Sequence, residues 1–208
     1  MTQGKFITFE GGEGTGKSTQ AARLVQRLTE LGLDVVRTRE PGGSPGAEMI
    51  RNLVVCGDPG RWSPRTELLL MYAARSDHLE RTILPALEAG KWVVCDRFAD
   101  SSRAYQGAAG GVPQDLIEAV DQGVVGTRQP DLTLMFDLPV EVGLARALER
   151  GAAENRFESK GLAFHQRLRD GYLSIAAIHA ERCRIIDARG ALDEVSERVW
   201  RAVEPILP

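Results

Sequence analysis

Residues 11–18 of the chain read GGEGTGKS, a stretch that satisfies the pattern G-x₄-G-K-[ST]. It follows a short apolar run at residues 5–9 and precedes a helical pattern that begins at Lys17. In that context the glycines let backbone N–H groups turn toward phosphate oxygens, and the helix adds its positive end. Lys17 would reach the β- and γ-phosphates of a nucleotide, and the Ser18 hydroxyl would ligate Mg²⁺. A chance glycine-rich turn is the weaker alternative, because both flanking elements are of the required type.

The rest of the chain alternates in the same way between short apolar runs and longer helical patterns. Strands are predicted at residues 5–9, 34–38, 91–95, 132–137 and 183–187. Helices are predicted near residues 17–32, 44–55, 65–89, 113–125, 140–150, 158–180 and 191–203, and Gly32 and Gly90 follow two of them as C-cap glycines would. This βαβα order predicts an α/β fold with a five-stranded parallel sheet flanked by helices, the three-layer P-loop NTPase architecture. Residues 1–208 show no repeat or linker, so we expect one domain.

The composition excludes several classes of protein. The 208 residues are 43% hydrophobic and 26% charged, which disfavours a disordered or collagen-like chain. With 26 basic and 29 acidic side chains, the formal net charge is −3, which does not favour binding to a polynucleotide or a membrane surface. The basic residues are 22 arginines and four lysines. Genome composition is the simplest cause, and recognition of phosphate by some of the arginines is the alternative.

Cysteine and histidine usage favours a cytoplasmic protein without a zinc site. Cys56, Cys95 and Cys183 are odd in number and scattered, so we expect reduced thiols that serve as small core residues. The three histidines form no ligand pair. No secretory signal follows Met1, and the longest apolar stretch, at residues 68–74, is too short to span a bilayer.

An acid and a base follow the third predicted strand, which ends in Val-Val-Cys before Asp96 and Arg97. Asp96 alone would be read as a cap of a helix that begins near residue 98. Beside a P-loop, the same carboxylate can hold the metal's water shell, and Arg97 would emerge at the same edge of the sheet to meet a second phosphate. Neither Asn52 nor Asn155 begins the Asn-Lys-x-Asp guanine motif, which disfavours a regulatory GTPase.

Several ordered blocks together resemble the bacterial thymidylate kinases, a family that phosphorylates dTMP with ATP. The P-loop is common to many families, whereas its combination with the REPGG and YQG blocks is far more specific. The blocks lie at residues 9–19 (FEGGEGTGKST), 38–43 (TREPGG), 69–75 (LLMYAAR), 96–98 (DRF), 102 with 105–107 (S and YQG), 130–133 (PDLT) and 144–157. The resemblance implies a cytoplasmic homodimer that binds ATP, Mg²⁺ and dTMP. It implies that the ATP phosphates meet Gly11, Gly12, Glu13, Gly14, Thr15, Gly16, Lys17, Ser18 and Thr19.

The resemblance also implies which residues hold the acceptor. The acid that matches Glu13 faces the 3′-hydroxyl of the deoxyribose, and the acceptor phosphate is held by the arginines that match Arg97 and Arg51. Arg75 matches the arginine that contacts a thymine carbonyl, Ser102 and Gln106 lie near it, and Tyr105 packs beneath the sugar. From the residues alone, Glu13 could be a solvated loop charge. Likewise, Arg75 could be a surface residue beside a core stripe of Leu69, Tyr72 and Leu79, and Tyr105 could be core.

The chain departs from the family at Met71, where the usual residue is a phenylalanine that stacks on thymine. A methionine still offers the ring an apolar, polarizable surface. The departure leaves the stacking geometry of the base open.

A lid is expected at residues 146–158. Family members without a basic residue in the variable P-loop positions supply a catalytic arginine from this segment, and these positions hold none here. Arg150 and Arg156 are therefore the candidates for neutralising the transferred phosphoryl group, with Arg146 behind them. An exposed helix end with arginines at i, i+4 spacing is the alternative.

The function predicted from the sequence is transfer of a phosphoryl group from ATP to dTMP, with Mg²⁺ on Ser18 and Asp96. Lys17, Arg97, Arg150 and Arg156 are the predicted catalytic residues. One alternative is a deoxynucleoside kinase, which needs a general base for its neutral hydroxyl acceptor. Another is a P-loop ATPase module without a small acceptor, which would have no need of Arg75, Ser102 and Gln106.

Overall fold

The computed structural model describes residues 4–58, 60–149 and 160–208. Its centre is a sheet of five parallel strands in the order β2-β3-β1-β4-β5. The strands are β1 (Phe6–Gly11), β2 (Val35–Arg39), β3 (Trp92–Asp96), β4 (Leu132–Asp137) and β5 (Cys183–Asp187). All five strands that the sequence predicts are confirmed, and β1 runs two residues further than expected, directly into the P-loop.

Helices cover both faces of the sheet. They are α1 (Lys17–Glu30), α2 (Pro45–Val55), α3 (Pro64–His78), α4 (Leu84–Glu88), α5 (Ala99–Ser102), α6 (Gln114–Val124), α7 (Val140–Glu149), α8 (Leu162–Ile178) and α9 (Leu192–Val203). A π-helical turn at Leu79–Ile83 joins α3 to α4, and a second π-helical segment, Arg103–Ala109, continues α5. Within the described ranges, no helix is long and apolar enough to cross a membrane.

Successive side chains of each strand point to opposite faces of the sheet, which divides the core into two layers. Ile7 and Phe9 of β1 face α1 and α9, which present apolar residues at helical spacing, such as Leu24 and Leu28 on α1. Phe6 of β1 faces the opposite layer, where it packs with α3 and α6. A buried cluster around Tyr172 of α8 and Tyr105 extends this second layer across β4 and β5.

Local sequence accounts for the ends of several helices. Ser63 precedes α3 and accepts a hydrogen bond from the backbone N–H of Thr66, and Pro64 occupies the first helical position. Gly32 and Gly90 have φ values of 82° and 76°, as expected for glycines that end helices.

Two expectations about core residues are wrong. Leu69 is 51% exposed, because Leu68 and Tyr72 form the buried face of α3 and Leu69 lies about 100° around the helix from Leu68. Cys56 is exposed at the end of α2, whereas Cys95 and Cys183 are buried as expected, and all three thiols are free.

A helical segment that is absent from the predicted helices, Ala99–Ala109, follows Phe98. That segment is polar, with Asp100, Ser101, Ser102, Arg103 and Gln106 all buried, so it shows no apolar stripe. Ion pairs stabilise it in addition to the apolar contacts of Ala99, Ala104, Tyr105 and Ala109.

The ion pairs beneath this segment centre on Asp100. Its carboxylate accepts hydrogen bonds from both terminal nitrogens of Arg182, at 2.6 and 2.9 Å, and from Arg103 at 3.2 Å. Arg103 also contacts Asp121 at 2.7 Å, and Asp121 accepts a hydrogen bond from the Tyr72 hydroxyl at 2.9 Å. These charge-assisted bonds hold the polar helix against α3, α6 and the start of β5.

We predict that Asp100→Ala lowers the free energy of unfolding by about 3–5 kcal/mol, because it leaves two buried guanidinium groups short of their carboxylate. Urea denaturation measures the loss. Asp34→Ala is the matched control, since it removes an exposed pair with Lys91 that contributes about 0–1 kcal/mol. Equal losses in the two variants would show that the buried cluster does not hold the helix.

Candidate active site

The P-loop lies between β1 and α1 and packs against α7. Gly14 and Gly16 have φ values of 68° and 88°, in the left-handed region that favours glycine. A side chain at Gly14 would overlap the backbone carbonyl of Gly143 on α7, so this glycine also permits close packing. The loop therefore reaches the positive N-terminal end of α1 in the conformation that the sequence predicts.

Lys17 is buried against this loop. Its Nζ donates to the carbonyl of Gly12 at 2.7 Å and to Oγ1 of Thr15 at 3.3 Å. Burial lowers the pKa of Lys17 to about 8, and the charge of Arg97 acts in the same direction, while the carboxylate of Glu13 opposes the shift. A bound phosphate would favour the charged ammonium.

The two predicted metal-holding side chains are in contact. The Ser18 hydroxyl donates a hydrogen bond to the Asp96 carboxylate. Asp96 ends β3 and pairs in register with Phe9 of β1, which brings its carboxylate to the first turn of α1. Hydroxyl and carboxylate oxygens are ligands that suit Mg²⁺, which keeps several waters and the substrate phosphates as its other ligands. No cluster of three or more acidic, histidine or cysteine ligands occurs in the described ranges.

Arg97 crosses the end of the sheet. Its φ of 71° is unusual for a residue other than glycine, and its backbone N–H donates to the Phe9 carbonyl at 2.9 Å. Its guanidinium donates to the Gly11 carbonyl at 2.9 Å and to Glu13 at 3.0 Å. The strained backbone thus places the side chain beside the P-loop.

Glu13 faces this arginine. Burial alone would raise the pKa of its carboxyl, but the charge of Arg97, helped by that of Lys17, lowers the pKa to about 2. The Tyr105 hydroxyl donates to the same oxygen. Glu13 is therefore an ionised, positioned hydrogen-bond acceptor and not a solvated loop charge.

Glu10 is a buried acid whose role was not predicted from the sequence, and it supports the backbone that follows Arg97. Its carboxyl accepts hydrogen bonds from the backbone N–H groups of Phe98 and Ser101, at 2.7 and 3.2 Å, and from the Ser101 hydroxyl at 2.6 Å. Burial raises its pKa to about 7, and the charge of Asp100 adds to the shift. The available signal was a charged residue inside an otherwise apolar strand.

Arg75, on α3, is 3% exposed and is held from three sides. Its Nε donates to Glu40 at 2.8 Å, Nη1 to the Ser102 hydroxyl at 3.1 Å, and Nη2 to the Phe98 carbonyl at 2.9 Å. Glu40 also contacts His78 at 3.0 Å. Glu40, from the TREPGG block, is therefore the buried ion-pair partner of Arg75.

These groups line one cleft of about 320 Å³. All eight residues predicted for the acceptor line it, together with most of the P-loop and Asp96. The lining predicted residues are Glu13, Gly14, Thr15, Gly16, Lys17, Ser18, Arg51, Met71, Arg75, Asp96, Arg97, Ser102, Tyr105 and Gln106. Lining residues that the sequence analysis did not assign to the site are Arg39, Glu40, Pro41, Val55, Phe98 and Ser101.

Three predicted phosphate-loop residues do not line this cleft. Gly11 is buried at the end of β1, and Gly12 borders a smaller cavity of about 30 Å³ behind the loop. Thr19 is exposed in the first turn of α1.

The predicted lid falls mostly outside the described residues. Arg150 and Arg156 both lie in residues 150–159, which the structure does not describe. Arg146, near the end of α7, donates to the carbonyl of Ala188 at 3.4 Å, beside the end of β5.

Comparisons with known proteins agree with this geometry. The sequence model of the thymidylate kinase family matches residues 9–199. A thymidylate kinase of Caulobacter vibrioides is 62% identical over 199 residues, which cover 96% of this chain and 95% of that protein. One from Bradyrhizobium sp. strain ORS 278 is 52% identical and covers 99% of this chain and 92% of its own length. The crystal structure of thymidylate kinase from Ehrlichia chaffeensis superimposes with a TM-score of 0.78 at 32% identity, covering 97% of this chain and 98% of the other. The P-loop NTPase fold is thereby confirmed, and the chain belongs to the thymidylate kinase family.

Proposed function

We propose that this chain transfers the terminal phosphoryl group of ATP to the phosphate of dTMP, giving dTDP and ADP. The observation that carries the proposal is one cleft that is lined both by the P-loop residues from Glu13 to Ser18 and by Arg75 with Gln106. Arg97 lines the same cleft and contacts Glu13 at 3.0 Å. A phosphorylated nucleoside whose base meets Arg75 would therefore bring its phosphate toward the nucleotide held on the P-loop.

At the donor end, the backbone of the P-loop, the N-terminus of α1 and Lys17 would hold the β- and γ-phosphates of ATP. Ser18 and Asp96 would hold Mg²⁺ there, directly or through water. When bound, the ion neutralises charge on the β- and γ-phosphate oxygens. Lys17 would then exchange its contact with the Gly12 carbonyl for a phosphate oxygen.

At the acceptor end, Arg97 and Arg51 would hold the phosphate of dTMP, while Glu13 accepts a hydrogen bond from the 3′-hydroxyl. An oxygen of that phosphate attacks the γ-phosphorus of ATP, and the bond from the γ-phosphorus to the bridging oxygen breaks as ADP leaves. A phosphate monoester is already ionised at neutral pH, so the reaction needs positioning and charge neutralisation and no general base.

The environment of Glu13 disfavours the deoxynucleoside kinase alternative. That reaction needs a carboxylate to take a proton from a neutral hydroxyl. Arg97 and Lys17 hold the pKa of Glu13 at about 2, which makes it a weak base. Holding a phosphate, in contrast, is a suitable role for Arg97.

We also propose that the protein is a cytoplasmic homodimer. Large apolar side chains are exposed on two helices that pack side by side, namely Met49 (73%) and Leu53 (41%) on α2 and Leu69 (51%) on α3. A second copy of the chain that covers these residues would remove them from water. Three free thiols support a reducing compartment.

A panel of acceptors tests the proposed function. With ATP and Mg²⁺, dTMP should be phosphorylated at least about a hundredfold more efficiently than thymidine, because Arg97 and Arg51 need a phosphate to hold. Coupled detection of ADP measures kcat/KM for each acceptor. Preference for thymidine would establish the nucleoside kinase alternative, and ADP release that no acceptor stimulates would establish an ATPase module.

Substituting Arg97 with alanine should lower kcat/KM for dTMP by about 10²–10³-fold, since the acceptor phosphate loses its central cation. Steady-state kinetics measure this loss, and circular dichroism shows whether the variant is folded. Arg201→Ala, on the exposed end of α9, is the matched control and should keep normal kinetics. A folded Arg97→Ala enzyme with normal turnover would remove the assigned role.

For the lid, Arg150→Ala and Arg156→Ala should differ in their effects. The variant that lacks the arginine which neutralises the transferred phosphoryl group should have a kcat lower by about 10³-fold or more, while its Kd for ATP changes little. Arg146→Ala provides the comparison, because its guanidinium contacts the Ala188 carbonyl. If all three variants keep the wild-type kcat, the catalytic arginine is not in this segment.

A further inference from the structure

Two hydrogen-bonded pairs connect α3 with the polar helix that follows β3. Arg75 on α3 contacts Ser102 at 3.1 Å, and Glu67, eight residues earlier on α3, accepts a hydrogen bond from Nε2 of Gln106 at 2.7 Å. Residues four apart lie on one face of an α-helix, so Met71 lies between Glu67 and Arg75 on the same face. Met71, Arg75 and Gln106 all line the cleft, whereas Glu67 is 3% exposed and does not belong to its lining.

The chemistry of the Glu67–Gln106 pair determines which end of the amide faces the carboxylate. A carboxylate only accepts hydrogen bonds, and the amide of glutamine donates through nitrogen and accepts through oxygen. Beside Glu67, the nitrogen of Gln106 must therefore be the atom that makes the contact, as observed. Gln106 is 1% exposed, which makes the reversed orientation, with two oxygens facing each other in the interior, costly.

We propose that Glu67 is a positioning residue that sets the hydrogen-bond polarity of the base site. By holding the amide nitrogen of Gln106, it leaves the carbonyl oxygen to accept a hydrogen bond from the base. Arg75, whose guanidinium only donates, supplies the opposite polarity beside it. Arg75 then supplies donors and Gln106 an acceptor, and this inference rests on dTMP being the acceptor substrate.

This pair of groups matches a 4-keto pyrimidine and opposes a 4-amino pyrimidine. In thymine the oxygen at ring position 4 accepts and the neighbouring N3–H donates, so both contacts are satisfied. In 5-methylcytosine the amino group at position 4 would face a guanidinium, and N3 would face a carbonyl oxygen. A site built for specific hydrogen bonds rejects an analogue that leaves its buried groups unpaired.

The test compares dTMP with 5-methyl-dCMP, which differ only at ring positions 3 and 4. In Glu67→Gln, the new amide can donate or accept, so Gln106 is free to turn. We expect the ratio of kcat/KM for dTMP to that for 5-methyl-dCMP to fall about tenfold or more, while KM for ATP is unchanged. Glu80→Gln makes the same substitution at an exposed position just beyond α3 and should leave the ratio unchanged.

A reciprocal double variant makes the test independent of any loss of folding. Glu67→Gln combined with Gln106→Glu keeps a donor and an acceptor in contact, and it again places only acceptor oxygens toward the base. We expect it to recover the preference for dTMP relative to Glu67→Gln alone. A folded Glu67→Gln enzyme with the wild-type ratio, or a double variant without recovery, would overturn the proposal. A wild-type enzyme that does not phosphorylate dTMP would instead overturn the proposed function.

Discussion

The contact of Arg97 with the ends of β1 and β3 is the constraint on which the rest of the cleft depends. Its backbone N–H donates a hydrogen bond to the carbonyl of Phe9, and its guanidinium donates one to the carbonyl of Gly11. One residue therefore joins the two strands at the P-loop. The left-handed backbone that this requires costs about 1–3 kcal/mol, which the buried hydrogen bonds offset. With this backbone the guanidinium lies 3.0 Å from the Glu13 carboxylate and supplies a fixed cation to the cleft.

Two carboxyl groups close to this arginine show how the surroundings set their chemistry. Glu13 receives a direct contact from Arg97, and its pKa falls to about 2. Glu10 receives its hydrogen bonds from backbone N–H groups and hydroxyls, and burial raises its pKa to about 7. The first is therefore a fixed anion in the lining of the cleft, whereas the second is a buried support for the start of α5.

Much of the fold and the site follows from patterns that are local in sequence. The strands are short apolar runs, and the P-loop has a fixed spacing, so both can be predicted without knowing what they contact. The polar helix Ala99–Ala109 could not be predicted in this way, because Asp100 and Arg103 are stabilised by Arg182 and Asp121, which are distant in sequence. The buried roles of Glu10 and Glu40 were missed for the same reason. Leu69 fits the spacing of an apolar stripe with Tyr72 and Leu79, although its phase on the helix relative to Leu68 places it on the surface.

The balance of charge in the cleft explains how a chain with a net charge of −3 can hold two phosphorylated ligands. Four arginines and one lysine line the cleft, and carboxylates pair with two of these arginines, as Glu40 does with Arg75 and Glu13 with Arg97. A lysine in such a pair would present its charge from a single atom, whereas a guanidinium has five N–H groups in a plane. Arg75 uses one group on each nitrogen for Glu40, Ser102 and Phe98, which leaves two N–H groups for a ligand. Pairing with a carboxylate therefore fixes the position of each arginine and still leaves N–H groups that can donate to a ligand. At these positions the choice of arginine has a physical reason, whatever the cause of the arginine excess elsewhere in the chain.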